Sequence, residues 1–237
     1  SPLVKDKEGV WRMDYHDMDK RIKDNNIRLA VLCSPHNPCG RVWEKEELEQ
    51  AMNVFKENDV IVVSDEIWSD FVFTGYKHIP TYSISEAARR RTISIYAPSK
   101  TFNIAGLQIS NIWISNPELR ARFRAEVTAA GYSQVNLMGL VACQAAYETG
   151  EEWLKELKIY VRTFLKENLP EIKLTEPEGT YLLWLDFKSL GMKEEQLKDL
   201  VENKAKLWLD SGAMFGPDGE GFERINIACP REILKQA

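Results

Sequence analysis

No apolar run in this sequence is longer than a strand, so nothing offers the roughly 20 residues that a bilayer-crossing helix needs. The chain opens Ser-Pro-Leu-Val-Lys-Asp-Lys, without the basic and then apolar pattern of a secretory leader. Basic blocks are missing as well: 31 Lys and Arg against 36 Asp and Glu leave a net charge of -5, and no stripe of cations is available to neutralise phosphates, which argues against a nucleic-acid partner. Cysteine is scarce. Cys33, Cys39, Cys143 and Cys229 are scattered without ligand-like pairing and read as reduced thiols of a cytoplasmic protein, with no metal site expected. Repeats and low-complexity segments are absent too.

What is present suits an ordinary globular protein. At 237 residues, 44% hydrophobic and 28% charged, the chain can bury a full core in one or two domains. From residue 1 to about 130, β-branched runs alternate with helical patterns. Leu48, Ala51, Met52 and Phe55 fall on one face of a helix that begins near Glu44. This predicts an α/β fold with βαβ units around a mostly parallel sheet. Beyond about 150 the pattern changes to a helix, a strand at Thr180–Phe187, a helix from Lys193 to about Ser211 and a last strand from Glu223 to Ala228. The expected division is a large domain over 1–148 and a smaller α+β domain over 149–237.

Three residues carry the chemistry. Asn37 follows the run Leu29–Cys33, Asp65 ends Val60–Val63 and Ser64, and Lys100 follows Thr92–Tyr96, so each sits where a strand of an open sheet runs out. Ligands of such sheets bind in the crevice at the carboxyl ends of the strands. A lysine amine can form a Schiff base with an aldehyde, a carboxylate can keep a pyridine nitrogen protonated, and an asparagine amide can donate to a phenolic oxygen. The three together read as a grip on pyridoxal 5'-phosphate (PLP). Taken singly, Lys100 could be a surface residue at a helix start, Asp65 an N-cap and Asn37 a turn former before Pro38.

Five phrases carry a family resemblance. They are Cys33-Ser-Pro-His-Asn-Pro-Cys-Gly-Arg-Val-Trp43, Ser64-Asp-Glu-Ile67, Ala97-Pro-Ser-Lys-Thr-Phe-Asn-Ile-Ala-Gly-Leu107, Pro177-Glu-Gly-Thr-Tyr181 and Arg224-Ile-Asn-Ile-Ala-Cys-Pro230. In these the chain resembles the fold-type I PLP enzymes of the aspartate aminotransferase superfamily, class I and II. More narrowly it is similar to the bacterial C–S lyase branch, the cystathionine β-lyases of the MalY/PatB type. The resemblance implies a fold-type I large domain, PLP as cofactor, an amino-acid substrate and a homodimer. Lys100 would hold the cofactor and, once displaced by substrate, abstract the α-proton. Arg224, in an Arg-x-Asn phrase, would grip the substrate carboxylate, with Arg231 as the fallback. Trp68 stands where relatives carry Tyr or His near the ring oxygen; it could donate one hydrogen bond there or be a packing residue. Ala97 and Gln108 stand where many superfamily members place phosphate ligands. The lyase branch shares this pattern and leaves Ser99 as the local hydroxyl for the phosphate.

The pattern is also broken in places. No counterpart of the family's phosphate loop or ring-stacking aromatic precedes Asn37, so the chain looks like the last three-fifths of a family member. It also stops at Ala237, where relatives continue into another helix. The passage through Val161 and Arg162 is shorter than in relatives by about two helical turns. A true deletion would explain this, and so would residues dropped from the sequence, which is the preferred reading. The expected reaction is β-elimination from L-cystathionine or another cysteine S-conjugate to thiol, pyruvate and ammonia. An aminotransferase is the alternative, and a non-catalytic regulatory or structural fragment the third reading.

Overall fold

The computed structural model describes residues 1–132, 134–156, 173–174 and 177–236. The passage around Val161 and Arg162 lies outside the described residues. A short hairpin, β1 (Leu3–Lys5) and β2 (Trp11–Met13), leads into α1 (Tyr15–Asp24), which is capped by Asp14 accepting from the Asp17 amide. Next come β3 (Leu29–Cys33), α2 (Lys45–Glu57), β4 (Ile61–Asp65), α3 (Glu86–Arg91), β5 (Thr92–Tyr96), α4 (Pro98–Thr101), β6 (Asn111–Ile114), α5 (Pro117–Ala129) and α6 (Leu137–Thr149). Strands β3, β4 and β5 are parallel neighbours in one sheet, and β6 closes its edge antiparallel to β5.

This first layer folds as its pattern dictates. Leu48, Ala51, Met52 and Phe55 of α2 are all buried against Leu32, Val60 and Val62. Each of the larger side chains among these, withdrawn from water, contributes roughly 1.5–3 kcal/mol. One strand departs from the run of apolar letters that announced it. Leu29 and Val31 on β3 are exposed, at 57% and 72%, because β3 is an edge strand and these two face away from the packed side.

The second sheet contains β7 (Lys173–Leu174), β8 (Leu182–Asp186), β9 (Asp210–Ser211) and β10 (Phe222–Asn226), in the order β7-β8-β10-β9 and antiparallel throughout. Leu182 to Leu185 are all buried. Trp68, Phe71 and Phe73 from the loop after β4 pack with Leu182, Leu183 and Leu185 into one core, which joins the two sheets. The helix expected from Lys193 to about Ser211 is shorter. It runs Glu194–Lys198, widens into a π-helical turn over Asp199–Lys204 and ends there, because Lys206 takes a left-handed conformation (φ 59°). The last strand is Phe222–Asn226 rather than Glu223–Ala228.

Candidate active site

Strand register sets the site. Cys33, Asp65 and Ile95 lie side by side at the carboxyl ends of β3, β4 and β5, with strands about 4.8 Å apart. The amide of Ser34 donates to the Asp65 carbonyl and that of Glu66 to the Ile95 carbonyl, each at 2.9 Å, so pairing persists to the last residue of each strand. Asn37 is four residues beyond Cys33 and Lys100 five beyond Ile95. All three expected ligands therefore emerge from one edge of one sheet.

The Asn37 loop is tightly closed. His36 N–H donates to the Arg41 carbonyl at 2.7 Å and Gly40 N–H to the His36 carbonyl at 2.8 Å, with Gly40 at φ 73°, where a side chain would be strained. The bonds Ser34–Pro35 and Asn37–Pro38 are cis. Trp43 Nε1 donates to the Cys33 carbonyl and ties the loop back to β3. Within the loop, burial lowers the His36 pKa to about 4 and raises the Cys39 thiol to about 12, so the contact between His36 Nδ1 and Cys39 Sγ at 3.2 Å joins two neutral groups.

Arg224, on β10, reaches across to this loop. Its Nη1 donates to Asn37 Oδ1 at 2.9 Å, while Nε and Nη2 donate to Asp210 Oδ2 at 3.1 and 2.6 Å. The guanidinium lies 4.9 Å from the centre of the Phe215 ring. An arginine only donates, so its presence fixes the Asn37 amide with its oxygen toward Arg224 and its NH2 turned elsewhere. Sequence reasoning had no means to find Asp210, which is 14 positions before Arg224 and belongs to none of the five phrases.

Asp65 accepts from the Ile67 amide through Oδ1 at 3.3 Å. Among the described residues nothing pairs with Asp65 Oδ2, Asn37 Nδ2, Lys100 Nζ or Ser99 Oγ. A carboxylate oxygen, an amide donor, an amine and a hydroxyl thus stand unengaged at one sheet edge. Their chemistry matches the pyridine nitrogen, phenolic oxygen, aldehyde and phosphate of PLP, so the residues present fit that group.

Trp68 is placed differently. It is 3% exposed, packs edge-on against Tyr181 at 4.6 Å and belongs to the core between the sheets. Its Nε1 makes no hydrogen bond among the described residues. Arg231 opens the final helix, and its side chain lies outside the described part of the structure.

Two other groups carry more of the site than their place in the sequence announced. Glu66, next to Asp65, is fully buried. It accepts from Tyr96 Oη at 2.8 Å, Ser94 Oγ at 3.1 Å and the Thr81 amide at 3.2 Å, and pairs with His78 Nε2 at 2.7 Å. It fastens the ends of β4 and β5 to the loop that follows. Tyr181, inside the fourth phrase, donates from Oη to the Lys100 carbonyl at 3.1 Å. Burial raises its pKa, so the phenol stays protonated and remains a donor.

Comparison with known proteins agrees in both sequence and fold. The family model for aminotransferase class I and II matches residues 4–237. The chain is 39% identical to cystathionine β-lyase PatB of Bacillus subtilis, over 99% of this chain and 62% of that protein. Among solved structures, cystalysin from Treponema denticola, which contains pyridoxal 5'-phosphate, superposes with a TM-score of 0.91 at 38% identity, over 99% of this chain and 61% of that one. The PLP-bound C–S lyase from Staphylococcus hominis gives a TM-score of 0.86 at 37% identity, over 100% and 61%. The chain spans about three-fifths of the length of the curated relatives it matches.

Proposed function

The chain belongs to the class I and II aminotransferase family, and from that premise we propose that the whole protein is a PLP-dependent C–S β-lyase acting on L-cystathionine or related cysteine S-conjugates. The observation that carries this is the set of four unengaged polar groups at the carboxyl ends of one sheet, with Arg224 hydrogen-bonded to the oxygen of the same Asn37 amide whose NH2 is left free. The names of the relatives favour elimination over transamination.

Once bound, PLP supplies an electron sink for the pair left at Cα when the α-proton departs. The protein does the rest. Lys100 would hold the cofactor covalently at rest and, once the substrate amine has displaced it, would take the α-proton on its freed Nζ. Asp65 Oδ2 would keep a proton at the pyridine nitrogen, Asn37 Nδ2 would donate to the ring oxygen, and Ser99 Oγ would serve as the local phosphate ligand. Trp68 supports the site from the core side through Tyr181. Arg224 receives the substrate carboxylate on its open edge. The Cβ–S bond then breaks with its electron pair on sulfur, and one water is consumed in giving thiol, pyruvate and ammonia.

We further propose a large domain over 1–148 and a small one over 149–237, a homodimer and a cytoplasmic location. The two sheets, over 29–114 and 173–226, fall on either side of that boundary. No helix among the described residues is long and apolar enough to cross a membrane. Incubation with L-cystathionine should release pyruvate and thiol over many turnovers without any keto acid. Turnover that requires added keto acid would make the protein an aminotransferase, and no reaction with PLP at Lys100 would leave a non-catalytic chain.

A further inference from the structure

The phrase Pro177-Glu-Gly-Thr-Tyr181 has no catalytic atom in the scheme above, yet it touches the Asn37 loop, the loop after β4 and Lys100. Glu178 and Gly179 amides both donate to the Gly40 carbonyl, at 3.0 and 3.1 Å. The Thr180 amide donates to the Phe71 carbonyl and the Glu178 carbonyl accepts from the Phe73 amide, each at 2.9 Å. Tyr181 reaches Lys100. The fit is close: a Cβ on Gly179 would stand 2.8 Å from the Phe71 carbonyl oxygen and 3.1 Å from Val42 Cγ2.

The Glu178 side chain goes further. Its Oε1 accepts from Arg41 Nη1, and its Oε2 accepts from the Val42 amide at 2.7 Å, all in the interior. Arg41 also donates through Nε to the Trp11 carbonyl at 3.0 Å and pairs through Nη2 with Glu47, which in turn accepts from Arg12. Arg41 is thus buried between the carboxylates of Glu47 and Glu178, and the half-buried Arg12 bridges Glu47 to Asp6. Arg41 closes the loop that bears Asn37, whereas Glu178 precedes β8, whose Trp184 pairs with Arg224 on β10. The circuit from Asn37 through Arg41, Glu178, β8 and β10 to Arg224 returns to Asn37 through the 2.9 Å hydrogen bond.

We propose that Glu178 is a positioning residue for substrate recognition: through Arg41 it holds the Asn37 loop in register with Arg224, so that the carboxylate clamp is assembled before substrate arrives. This rests on the reading of Arg224 as the clamp. A buried ion pair is weak evidence for stability but well suited to fixing one arrangement of two segments. Loss of one partner frees the loop at the point where Asn37 orients the guanidinium.

The test uses the PLP-loaded whole protein, titrated with L-alanine, which has no leaving group, and with L-alanine methyl ester, binding being followed by the cofactor's absorbance. Wild type should prefer the free carboxylate. Glu178→Gln should keep PLP bound and lose at least tenfold of that preference, through weaker binding of L-alanine and little change in binding of the ester. Arg41→Lys, which keeps the buried charge but not the fork, should do the same. A wild-type preference ratio in whichever of the two folds overturns the proposal. Arg224→Ala separates the two levels of inference. If it leaves the preference intact, the clamp itself is misassigned; if it abolishes the preference while Glu178→Gln does not, only the role of Glu178 falls.

Discussion

Tyr181 Oη donates to the main-chain carbonyl of Lys100 at 3.1 Å, so the residue that ends the Glu178 phrase holds the backbone of the expected Schiff-base lysine from the opposite sheet. The contact fixes the α4 turn and leaves the amine of Lys100 unencumbered. Trp68 and Phe71 pack edge-on against the Tyr181 ring at 4.6 and 5.4 Å, which limits where its hydroxyl can go.

Tyr181→Phe keeps the ring and removes this bond. The expected cost is about 1 kcal/mol of stability, the usual net worth of one such bond. PLP should still bind but dissociate faster, because the α4 turn is less constrained. A thermal melt and a dilution assay of PLP release measure the two effects; an unchanged release rate would show that the bond serves folding alone.

Lys100→Ala should fold as wild type, since among the described residues no partner holds its Nζ and the side chain adds little to the core. Covalent attachment should vanish. Borohydride reduction of the wild-type protein followed by peptide mass mapping should place the pyridoxyl group on Lys100, and any other lysine would refute the assignment.

Asp65→Asn should retain cofactor and slow elimination by about 100-fold or more, because electrostatic stabilisation of developing charge is commonly worth roughly 3 kcal/mol. The loop after β4 should survive, since Asn can still accept from the Ile67 amide. Steady-state kcat with a melting curve checks both. Near-normal turnover would reduce Asp65 to a loop-shaping residue.

The strands, the buried face of α2 and the placement of Asn37, Asp65 and Lys100 at strand ends were legible because each is a local pattern of period and polarity. What stayed hidden depends on pairings distant in sequence. Glu66 stands inside the second phrase with no role assigned, and only the fold brings Tyr96, Ser94 and His78 to it. Arg41 and Glu178 are 137 positions apart, and nothing in either phrase names the other. Trp68 could be read toward the cofactor or the core, and packing against Tyr181 is a tertiary fact. The early end of the helix after Lys193 follows from a left-handed Lys206, a conformation that the identity of a lysine does not signal.

Stability should also report on Glu223, which lies on β10 beside Arg224. Burial, and then the nearby carboxylates of Glu194, Glu202 and Asp210, push its pKa from an ordinary 4.5 up to about 7. Between those values the folded protein holds a proton that the unfolded chain has released, so this group makes stability fall as pH rises from about 4.5 to about 7. Buried His36 acts in the opposite sense. With its pKa lowered from 6.5 to about 4, it makes stability rise over that interval, because the unfolded chain binds the proton that the folded protein excludes. The two slopes oppose each other in wild type, and a single variant should expose them. Glu223→Gln removes the falling contribution, so its stability relative to wild type should grow steadily from pH 4.5 to 7 and then level off. Urea unfolding at pH 4.5, 5.5, 6.5 and 7.5 measures this difference. A difference independent of pH would mean that Glu223 titrates normally and that the acidic group around β10 is open to solvent.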